Sequence, residues 1–176
     1  GNVFTTGYFK GTADFDPSPV GTFTLTSAGD NDIFISKLNS SGNFVWAKRM
    51  GMSGSNADQG NSITTDASGN AYTTGYFRGT VDFDPSPAGT FTLTSGGGHD
   101  IFISKLNASG DFVWAKAMSG SGNFEDQGYA IKYDGSGNIY TTGWFKSTVD
   151  FDPSPAGTFT LAATGVTAYI FISKLD

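Results

Sequence analysis

Cysteine is absent from this chain, and histidine and glutamate occur once each, as His99 and Glu125. No disulfide can therefore hold the fold, which leaves packing or a metal ion to stabilise it. Zinc is disfavoured as that metal because it prefers His and Cys ligands. The net charge of −6 argues against nucleic acid as a partner, because phosphates select basic surfaces.

Long apolar runs and helical periodicity are also missing. No run approaches the roughly 18 residues that span a bilayer, and no stretch keeps apolar residues at helical spacing. We therefore expect neither membrane insertion nor helices. The chain holds 25 glycines and 16 phenylalanines, with many Ser and Thr. That mixture suits short strands joined by tight turns, so the sequence predicts an all-β protein.

One motif, Asp-Phe-Asp-Pro-Ser-Pro, organises the sequence. It occurs at 14–19, 82–87 and 150–155, so that successive copies lie 68 residues apart. The surrounding residues repeat in step, and 30 of the 38 positions in 1–38 are identical to those in 69–106. Such an array indicates tandem modules that bury their faces against their neighbours.

The period divides the chain into repeats at 1–68 and 69–136 and a partial repeat at 137–176. Because the chain starts within a repeat, we expect it to be part of a longer polymer or precursor. A mature product or an excerpt would also lack a signal peptide, and none is visible.

Four segments of each repeat are predicted to form one antiparallel blade. In the middle of the chain they are DQGNSITTD, GNAYTTGYF, DIFISKL and FVWAK. DIFISKL should be the most buried strand because its apolar run is continuous. The DFDPSP loop and the TFTLT strand after it are predicted as an insertion between the second and third strands, because the two prolines cannot sit in a central strand.

This ordered set of segments, with its SGN turns, resembles the SBBP repeat, a bacterial β-propeller repeat. The resemblance covers nearly the whole chain apart from the DFDPSP–TFTLT insert. It implies propeller-blade-like modules and a secreted or surface protein of bacteria. A more distant similarity is to extracellular filaments whose β-modules are bridged by calcium. The period of 68 exceeds the usual blade of about 40–50 residues, so a closed ring and an open array both stay open.

The DFDPSP motif is the first candidate for a functional site. Side chains two apart on an extended chain point to the same side, so the two carboxylates should lie together, and they repel unless a positive group separates them. Calcium takes six to eight oxygen ligands and tolerates irregular loops, which makes it the predicted cofactor. The predicted ligands are Asp14, Asp16 and Ser18, then Asp82, Asp84 and Ser86, then Asp150, Asp152 and Ser154, with Asp32 and Asp100 as additional ones.

Two alternatives explain the same acidic residues without a metal. An Asp before Pro often caps its own turn. A basic side chain four residues upstream of the first Asp, such as Lys10, could also pair with a carboxylate. Turn chemistry is likewise the favoured explanation of the D/N-x-S-G turns, such as 66–70, and Asp58 and Asp126 are predicted to be hydrogen-bond acceptors in loops.

Catalysis is not predicted. Near-identical repeats offer no unique asymmetric set of groups, and neither His99 nor Glu125 has an evident partner in the sequence. Carbohydrate binding through Trp46, Trp114, Trp144 and the tyrosines is a weaker alternative, because aromatic residues on repeated strands usually form the core.

The sequence therefore predicts tandem antiparallel sheet modules stacked as an array. We expect an extracellular structural protein at the bacterial surface, a calcium-stabilised scaffold or filament whose partners are its own repeats or further copies. The alternative is a closed β-propeller that serves as an adhesion or carbohydrate-binding domain.

Overall fold

The computed structural model describes residues 1–54, 56–164 and 167–176, which contain strands and no helix. No helix able to cross a membrane is therefore found in these ranges. The strands in chain order are β1 (Val3–Phe9), β2 (Thr12–Asp14), β3 (Thr24–Thr26), β4 (Asp32–Leu38), β5 (Phe44–Met50), β6 (Gln59–Thr65), β7 (Ala71–Asp82), β8 (Thr92–Leu106), β9 (Phe112–Gly120), β10 (Gly122–Glu125), β11 (Gln127–Tyr133), β12 (Ile139–Phe145), β13 (Thr148–Asp150), β14 (Thr160–Ala162) and β15 (Tyr169–Leu175).

The predicted four-stranded blade is confirmed in the middle of the chain. Strands β6, β7, β8 and β9 lie side by side in that order, and each pair is antiparallel. They carry the four predicted segments. We call this sheet blade 2, because it is the second along the chain. Blade 1 contains β1, β4 and β5, and blade 3 contains β11, β12 and β15. The fold is thus all-β, with tandem antiparallel blades.

The insertion between the second and third strands is also confirmed. It forms a β-hairpin, which we call the insert hairpin, from β2 and β3 in the first repeat and from β13 and β14 in the third. In the second repeat the same hairpin is continuous with the blade. Strands β7 and β8 run past the end of the blade and form the hairpin themselves, as far as Asp82 and Thr92. Within the hairpin only three residues pair on each strand, since the prolines follow immediately.

The blades are out of phase with the sequence repeats by one strand. Strand β6 belongs to residues 1–68, yet it pairs with β7 in blade 2, and β11 joins blade 3 in the same way. Each spatial unit therefore takes its first strand from the end of one repeat and its other strands from the next. This overlap ties neighbouring repeats together through the chain itself.

Each blade has two different faces because side chains alternate along its strands. We call the side with Phe34, or Phe102 in blade 2, the Phe face, and the side with Ile33, or Ile101, the Ile face. One cluster joins the Ile face of blade 1 to the Phe face of blade 2, and a second joins blade 2 to blade 3. The core of the protein thus lies between blades, as the repeat argument predicted.

Burial follows this stacking. Strand β8, which has a blade on both sides, buries Ile101, Phe102 and Ile103 to 1% exposure or less. DIFISKL is therefore deeply buried in blade 2, but not more so than the neighbouring β7, where Ala71, Thr73 and Thr74 are also 0% exposed. The matching strand of blade 3 is different, because no blade covers its Ile face within the described residues. Ile170 and Ile172 are therefore 84% and 78% exposed.

The mid-strand glycine of GYF allows a close backbone approach, as the sequence indicated. A Cβ atom on Gly75 would collide with the carbonyl oxygen of Gln59 on the neighbouring strand and would press on the Phe102 ring. The pairing of β6 with β7 also shifts register at this point, between Gly60 and Ser62. A side chain here would separate the two strands that begin the blade.

A trio of phenylalanines repeats in every blade and fixes the insert hairpin. In blade 2 the Phe83 ring of DFDPSP lies 5.6 Å from Phe77 and 5.1 Å from Phe102. The matching ring in blade 1, Phe15, lies 5.3 Å from Phe9 and 5.0 Å from Phe34. The prediction that this residue faces the core is confirmed.

Replacement of the central ring by alanine should therefore cost more in blade 2 than in blade 1. Phe83 is 0% exposed, so we expect Phe83→Ala to lower the free energy of unfolding by about 3–5 kcal/mol. Phe15 is half-buried, so Phe15→Ala should cost clearly less. Denaturant unfolding of both variants measures the difference, and equal costs would contradict the stacking of blade 1 on blade 2.

Candidate functional site

The acidic residues of DFDPSP cap their own loop. In the first repeat Oδ1 of Asp14 accepts the backbone N–H groups of Asp16 at 3.0 Å and Phe23 at 2.9 Å. Oδ1 of Asp16 accepts the N–H of Ser18 at 2.9 Å, and Oγ of Ser18 accepts that of Gly21 at 2.9 Å. The same bonds recur in the other two copies. Turn capping thus explains one oxygen of every carboxylate.

These donors also stabilise the charged form of the carboxylates. The N–H groups of Phe23 and Asp16 hold the pKa of Asp14 below its usual range. In the third copy the hydroxyl and the N–H of Ser154 do the same for the pKa of Asp152, and Lys116 adds to the effect. These donors therefore favour the charged forms of Asp14 and Asp152.

The basic residues upstream of the motif serve other contacts. Nζ of Lys10 lies 2.6 Å from Oδ1 of Asp30, and Nζ of Lys146 lies 5.0 Å from the centre of the Trp144 ring. The lysine that approaches a loop is instead one from the preceding blade, as Lys116 does for Asp152. This partner is 36 residues distant in sequence, so spacing alone did not indicate it.

A glycine follows each motif and makes its turn possible. A Cβ atom on Gly21, Gly89 or Gly157 would collide with the carboxylate of the second Asp and with the Ser hydroxyl. The loop therefore folds back on itself at this residue. The recurrence of Gly three residues after the Ser in all three copies was the available signal, and the sequence reasoning did not use it.

The insert hairpin also joins one blade to the next. In the third repeat β13 pairs with the end of β9, so that Val149 lies opposite Gly120 and Asp150 opposite Ser119. Between the first two repeats the N–H of Gly51 donates to the carbonyl of Asp82 at 3.1 Å. The motif thus lies where two successive repeats meet.

A cleft of about 570 Å³ lies beside the second copy of the motif. Its lining brings Asp82 and Asp84 together with Lys48 and Arg49 from blade 1. The site is therefore of mixed charge.

The residues present fit a calcium ion only in part. Each loop supplies two carboxylates and a hydroxyl, but the described residues contain no group of three or more Asp, Glu, His or Cys side chains that could hold a metal. The second oxygens of the carboxylates, backbone carbonyls and water would have to complete a shell of six or more ligands. Calcium would then neutralise charge at the junction of two repeats.

Asp32 and Asp100 have other partners. Asp32 is 1% exposed, and its Oδ2 accepts the N–H of Ala28 at 2.7 Å and Nη1 of Arg49 at 2.8 Å. Asp100 is equally buried, and it accepts the N–H groups of Gly96 and Gly120. These bonds close the loop that follows the insert hairpin.

Asp58 and Asp126 are acceptors in loops, as predicted, but they are also buried. Asp58 is 2% exposed and accepts the N–H of Arg78 at 3.0 Å, and Asp126 accepts that of Lys146 at 2.8 Å. Burial raises the pKa of Asp58 to about 7, with Asp32 adding to the effect. Burial likewise raises the pKa of Asp126 to about 6, with Asp100 as its acidic neighbour. The sequence showed the acidic residues but not their burial.

The D/N-x-S-G turns are explained by their own hydrogen bonds. Oδ1 of Asp66 accepts the N–H groups of Ser68 and Asn70, and its Oδ2 accepts the amide of Asn70 and the hydroxyl of Tyr72. Asn39, Asn107 and Asp134 cap the other three turns through their Oδ1 atoms. Turn chemistry therefore accounts for these residues, as favoured from the sequence.

His99 and Glu125, for which the sequence shows no evident partner, lie close to each other, although Nδ1 of His99 has no hydrogen-bond partner. Nδ1 of His99 lies 3.9 Å from Oε1 of Glu125, and the imidazole packs against the Tyr76 ring at 4.6 Å. Pairing of β10 with β8 produces this contact. Burial lowers the pKa of His99, so the imidazole is neutral at pH 7 and the contact is not an ion pair there.

The tryptophans differ in their surroundings. Trp46 is 8% exposed and its indole N–H donates to the carbonyl of Ala108 in the next blade at 3.2 Å. It is a core residue, in keeping with the usual role of aromatic residues on repeated strands. Tyr8 and Tyr129 are each 51% exposed and Phe159 is 62% exposed, so the accessible aromatic surface lies on phenylalanine as well as on tyrosines.

The structure thus consists of stacked antiparallel blades with a repeated hairpin between them. Residues 45–76 match the family described as "SBBP: Beta-propeller repeat". This match agrees with the resemblance to the SBBP repeat that the sequence indicated. The matched stretch runs from β5 through β6 into β7, which is the junction between blades 1 and 2.

A distant relative is an uncharacterized WD repeat-containing protein of Acanthamoeba polyphaga mimivirus. It is 29% identical over 114 residues, which cover 57% of this chain. The match covers 8% of the relative's own length. The similarity thus concerns a small part of a much longer repeat protein, and it agrees with the propeller-type blades.

The buried aspartates predict that this protein is less stable at neutral than at mildly acidic pH. Between the ordinary pKa of 3.8 and the raised value of about 7, folded Asp58 keeps a proton that the unfolded chain has released. Raising the pH through this window therefore favours unfolding. Carboxylates with lowered pKa values, such as Asp14, act in the opposite direction below the window.

The double variant Asp58→Asn, Asp126→Asn should flatten this dependence, because each amide keeps an oxygen for the backbone donor. The measurement is the melting temperature at a series of pH values across the window. Asp176→Asn, at an exposed residue, is the control and should behave like the wild type. Equal slopes for the double variant and the wild type would refute the assignment.

Proposed function

We propose that this protein is an extracellular structural repeat protein at the bacterial surface, a scaffold or filament built from stacked blades and stabilised by calcium at the DFDPSP loops. The observation that carries the proposal is the repeated contact between blades. The Ile face of blade 1 packs on the Phe face of blade 2, and the same contact recurs between blades 2 and 3. Similar contacts in series suit an extended array of repeats.

The two end faces support continued stacking. On the Ile face of blade 3, Ile170 and Ile172 are largely exposed, and on the Phe face of blade 1, Val3 is 51% exposed. Monomeric soluble proteins rarely leave such apolar surface uncovered. Further repeats or further copies are therefore the proposed partners, with no role for nucleic acid or membrane insertion.

The calcium part of the proposal rests on the acidic pairs at the repeat junctions. Each second Asp directs Oδ2 towards the glycine at the fold of the loop, beside the Ser hydroxyl. A cation bound there would also hold the insert hairpin against the preceding blade. Lys48 and Lys116 are the positive groups that could neutralise the carboxylates instead of calcium. The chelator experiment below separates calcium from lysine.

Catalysis is not part of the proposal. The repeated carboxylates lie on one short loop each, so they do not flank a bond from two sides as hydrolytic pairs do. His99 and Glu125 are the unique pair, and the Glu125 side chain is largely in solvent while His99 is packed on Tyr76. A binding or structural role suits these features better.

A closed β-propeller for adhesion or carbohydrate binding is the second candidate. The match of residues 45–76 to a β-propeller repeat favours it. Its binding surface would use the exposed tyrosines, Tyr8 and Tyr129, because aromatic rings stack on sugar rings through their apolar faces. This candidate requires blades to close around a centre instead of continuing along a line.

Electron imaging of the native material separates the two candidates. A scaffold or filament should appear as rods with a regular axial spacing, because successive blades repeat the same contact. A closed propeller should appear as discrete rings of one size. Rings alone, without higher assemblies, would rule out the filament and favour the second candidate.

Removal of calcium should lower the melting temperature if the DFDPSP loops bind it. We expect the melting temperature to fall on addition of a chelator and to return when calcium, but not magnesium, is restored, because magnesium demands stricter geometry. The triple variant Asp16→Asn, Asp84→Asn, Asp152→Asn should no longer respond. A chelator response no greater than that of an ionic-strength control refutes the calcium part.

A further inference from the structure

The cleft at the junction of blades 1 and 2, which we call the junction cleft, combines an apolar platform with polar groups of both charges. Its volume of about 570 Å³ lies within the range of roughly 300–1,000 Å³ that is usual for small-molecule sites. The insert hairpin of the first repeat, strand β5 and the DFDPSP loop of the second repeat line it. All its lining residues lie between 23 and 90, so the ends of the chain take no part in it.

A phenyl ring forms the apolar platform. Phe23 is 37% exposed, and the Phe44 ring of β5 supports it at a centroid distance of 4.8 Å and an interplanar angle of 34°. A ring that is fixed on one side and partly exposed offers a surface on which a flat ligand can stack. Leu25 and Pro85 add apolar surface to the same cleft.

The second repeat supplies hydrogen-bond acceptors. Oδ1 of Asp82 accepts the N–H groups of Asp84 at 3.0 Å and Phe91 at 2.9 Å. Oδ1 of Asp84 accepts the N–H of Ser86 at 2.9 Å. Capping of the loop therefore uses one oxygen of each carboxylate and leaves Oδ2 for a ligand. Ser86 and Thr90, which carry hydroxyl groups, line the cleft as well.

Strand β5 of blade 1 supplies hydrogen-bond donors. Lys48 and Arg49 both line the cleft. Nη1 of Arg49 donates to Oδ2 of Asp32 at 2.8 Å. Because a guanidinium group carries five N–H donors, the same side chain can also donate to a ligand. Donors and acceptors from two consecutive repeats thus meet in one cleft.

This combination suits a neutral ligand that is rich in hydroxyl groups. An organic anion would meet the carboxylates of Asp82 and Asp84, and an organic cation would meet the charges of Lys48 and Arg49. A hydroxyl group suits both sides, because it donates to a carboxylate and accepts from an ammonium or guanidinium group. A sugar ring also has a face of C–H groups that can pack on a phenyl ring.

We propose that the junction cleft binds a short neutral oligosaccharide. One sugar ring stacks on Phe23, its hydroxyl groups donate to Asp82 and Asp84, and Arg49 donates to them. This binding function goes beyond the proposed scaffold and does not rest on calcium. It also differs from the closed propeller considered above, whose binding surface would use exposed tyrosines.

The second junction provides a matched control. Ala117 stands in blade 2 where blade 1 has Arg49, so the donor is missing there. The ring that matches Phe23 is Phe91, which is 38% exposed and packs on its neighbouring phenylalanine at the same 4.8 Å and 34°. Phe91→Ala therefore removes a ring of the same exposure and packing that does not line the junction cleft.

The test is ligand binding to the full-length chain, followed by nuclear magnetic resonance. Cellotriose, maltotriose and mannotriose are the neutral probes, and trigalacturonate and triglycine are the charged ones. At least one neutral probe should bind at about millimolar concentration and should shift the backbone signals of Gly51 and Thr90, which line the cleft. Phe23→Ala should weaken this binding about tenfold or more, while Phe91→Ala should bind like the wild type.

Three results would overturn the proposal. The first is that none of the neutral probes binds at millimolar concentration. The second is that trigalacturonate or triglycine binds more tightly than every neutral probe, because the cleft would then select a charged ligand. The third is an equal loss of binding in both variants, or wild-type shifts confined to other residues, because the bound sugar would then lie elsewhere.

These outcomes are separable from those of the proposed function. Electron imaging tests the scaffold, and the response of the melting temperature to a chelator tests the calcium part. Sugar binding that persists in the presence of a chelator supports the junction cleft whichever way those two experiments turn out.

Discussion

The fold depends on burial of each blade's Phe face beneath the Ile face of the preceding blade. A sheet with large apolar residues on both faces is not stable alone, so each face has to be buried against a neighbouring blade. In this protein an Ile face is covered by the Phe face of the next blade. Blade 2 shows the complete arrangement, with Phe77, Phe83 and Phe102 covered on one side and Ile101 and Ile103 on the other. Within the part of the chain that the structure describes, blades 1 and 3 are each covered on one face only.

The insert hairpin adds a second contact between consecutive blades. Its phenylalanine completes the aromatic trio of its own blade, while its backbone pairs with the end of the preceding blade. The prolines stiffen the loop, and the carboxylates cap the backbone donors that the prolines and the sharp turn leave unpaired. A bound cation and a self-capped turn are compatible readings of the motif, because capping uses Oδ1 and leaves Oδ2 for another partner.

Buried carboxylates recur at the junctions between repeats, which we call seams. Asp32 and Asp58 lie at the first seam, and Asp100 and Asp126 lie at the second. They bond the backbone of loops that would otherwise leave N–H groups unpaired in a buried place. The seams are not identical, however, since Arg49 pairs with Asp32 while Ala117 occupies the matching position in the next blade. Nearly equal repeats thus differ in how a buried charge is compensated.

Much of the architecture followed from the sequence alone. Period, strand order and blade composition could be predicted because near-identical repeats must make near-identical contacts, and because the apolar pattern of DIFISKL and the prolines of DFDPSP each allow few structures. The inward direction of Phe15, Phe83 and Phe151 followed from the two-residue alternation of an extended chain. The mid-strand glycine likewise indicated a close approach, although its partner, the Gln59 carbonyl, could not be known.

Other features were decided only by tertiary structure, because they depend on groups far apart in the chain. The approach of Lys116 to Asp152, the contact of His99 with Glu125 and the burial of Asp58 all arise when strands from different segments meet. Sequence spacing carries no information on such pairs, and desolvation, which sets the pKa of Asp58, depends on what surrounds a side chain in space. The repeat therefore determined which strands form each blade, and packing determined which of its charges are buried.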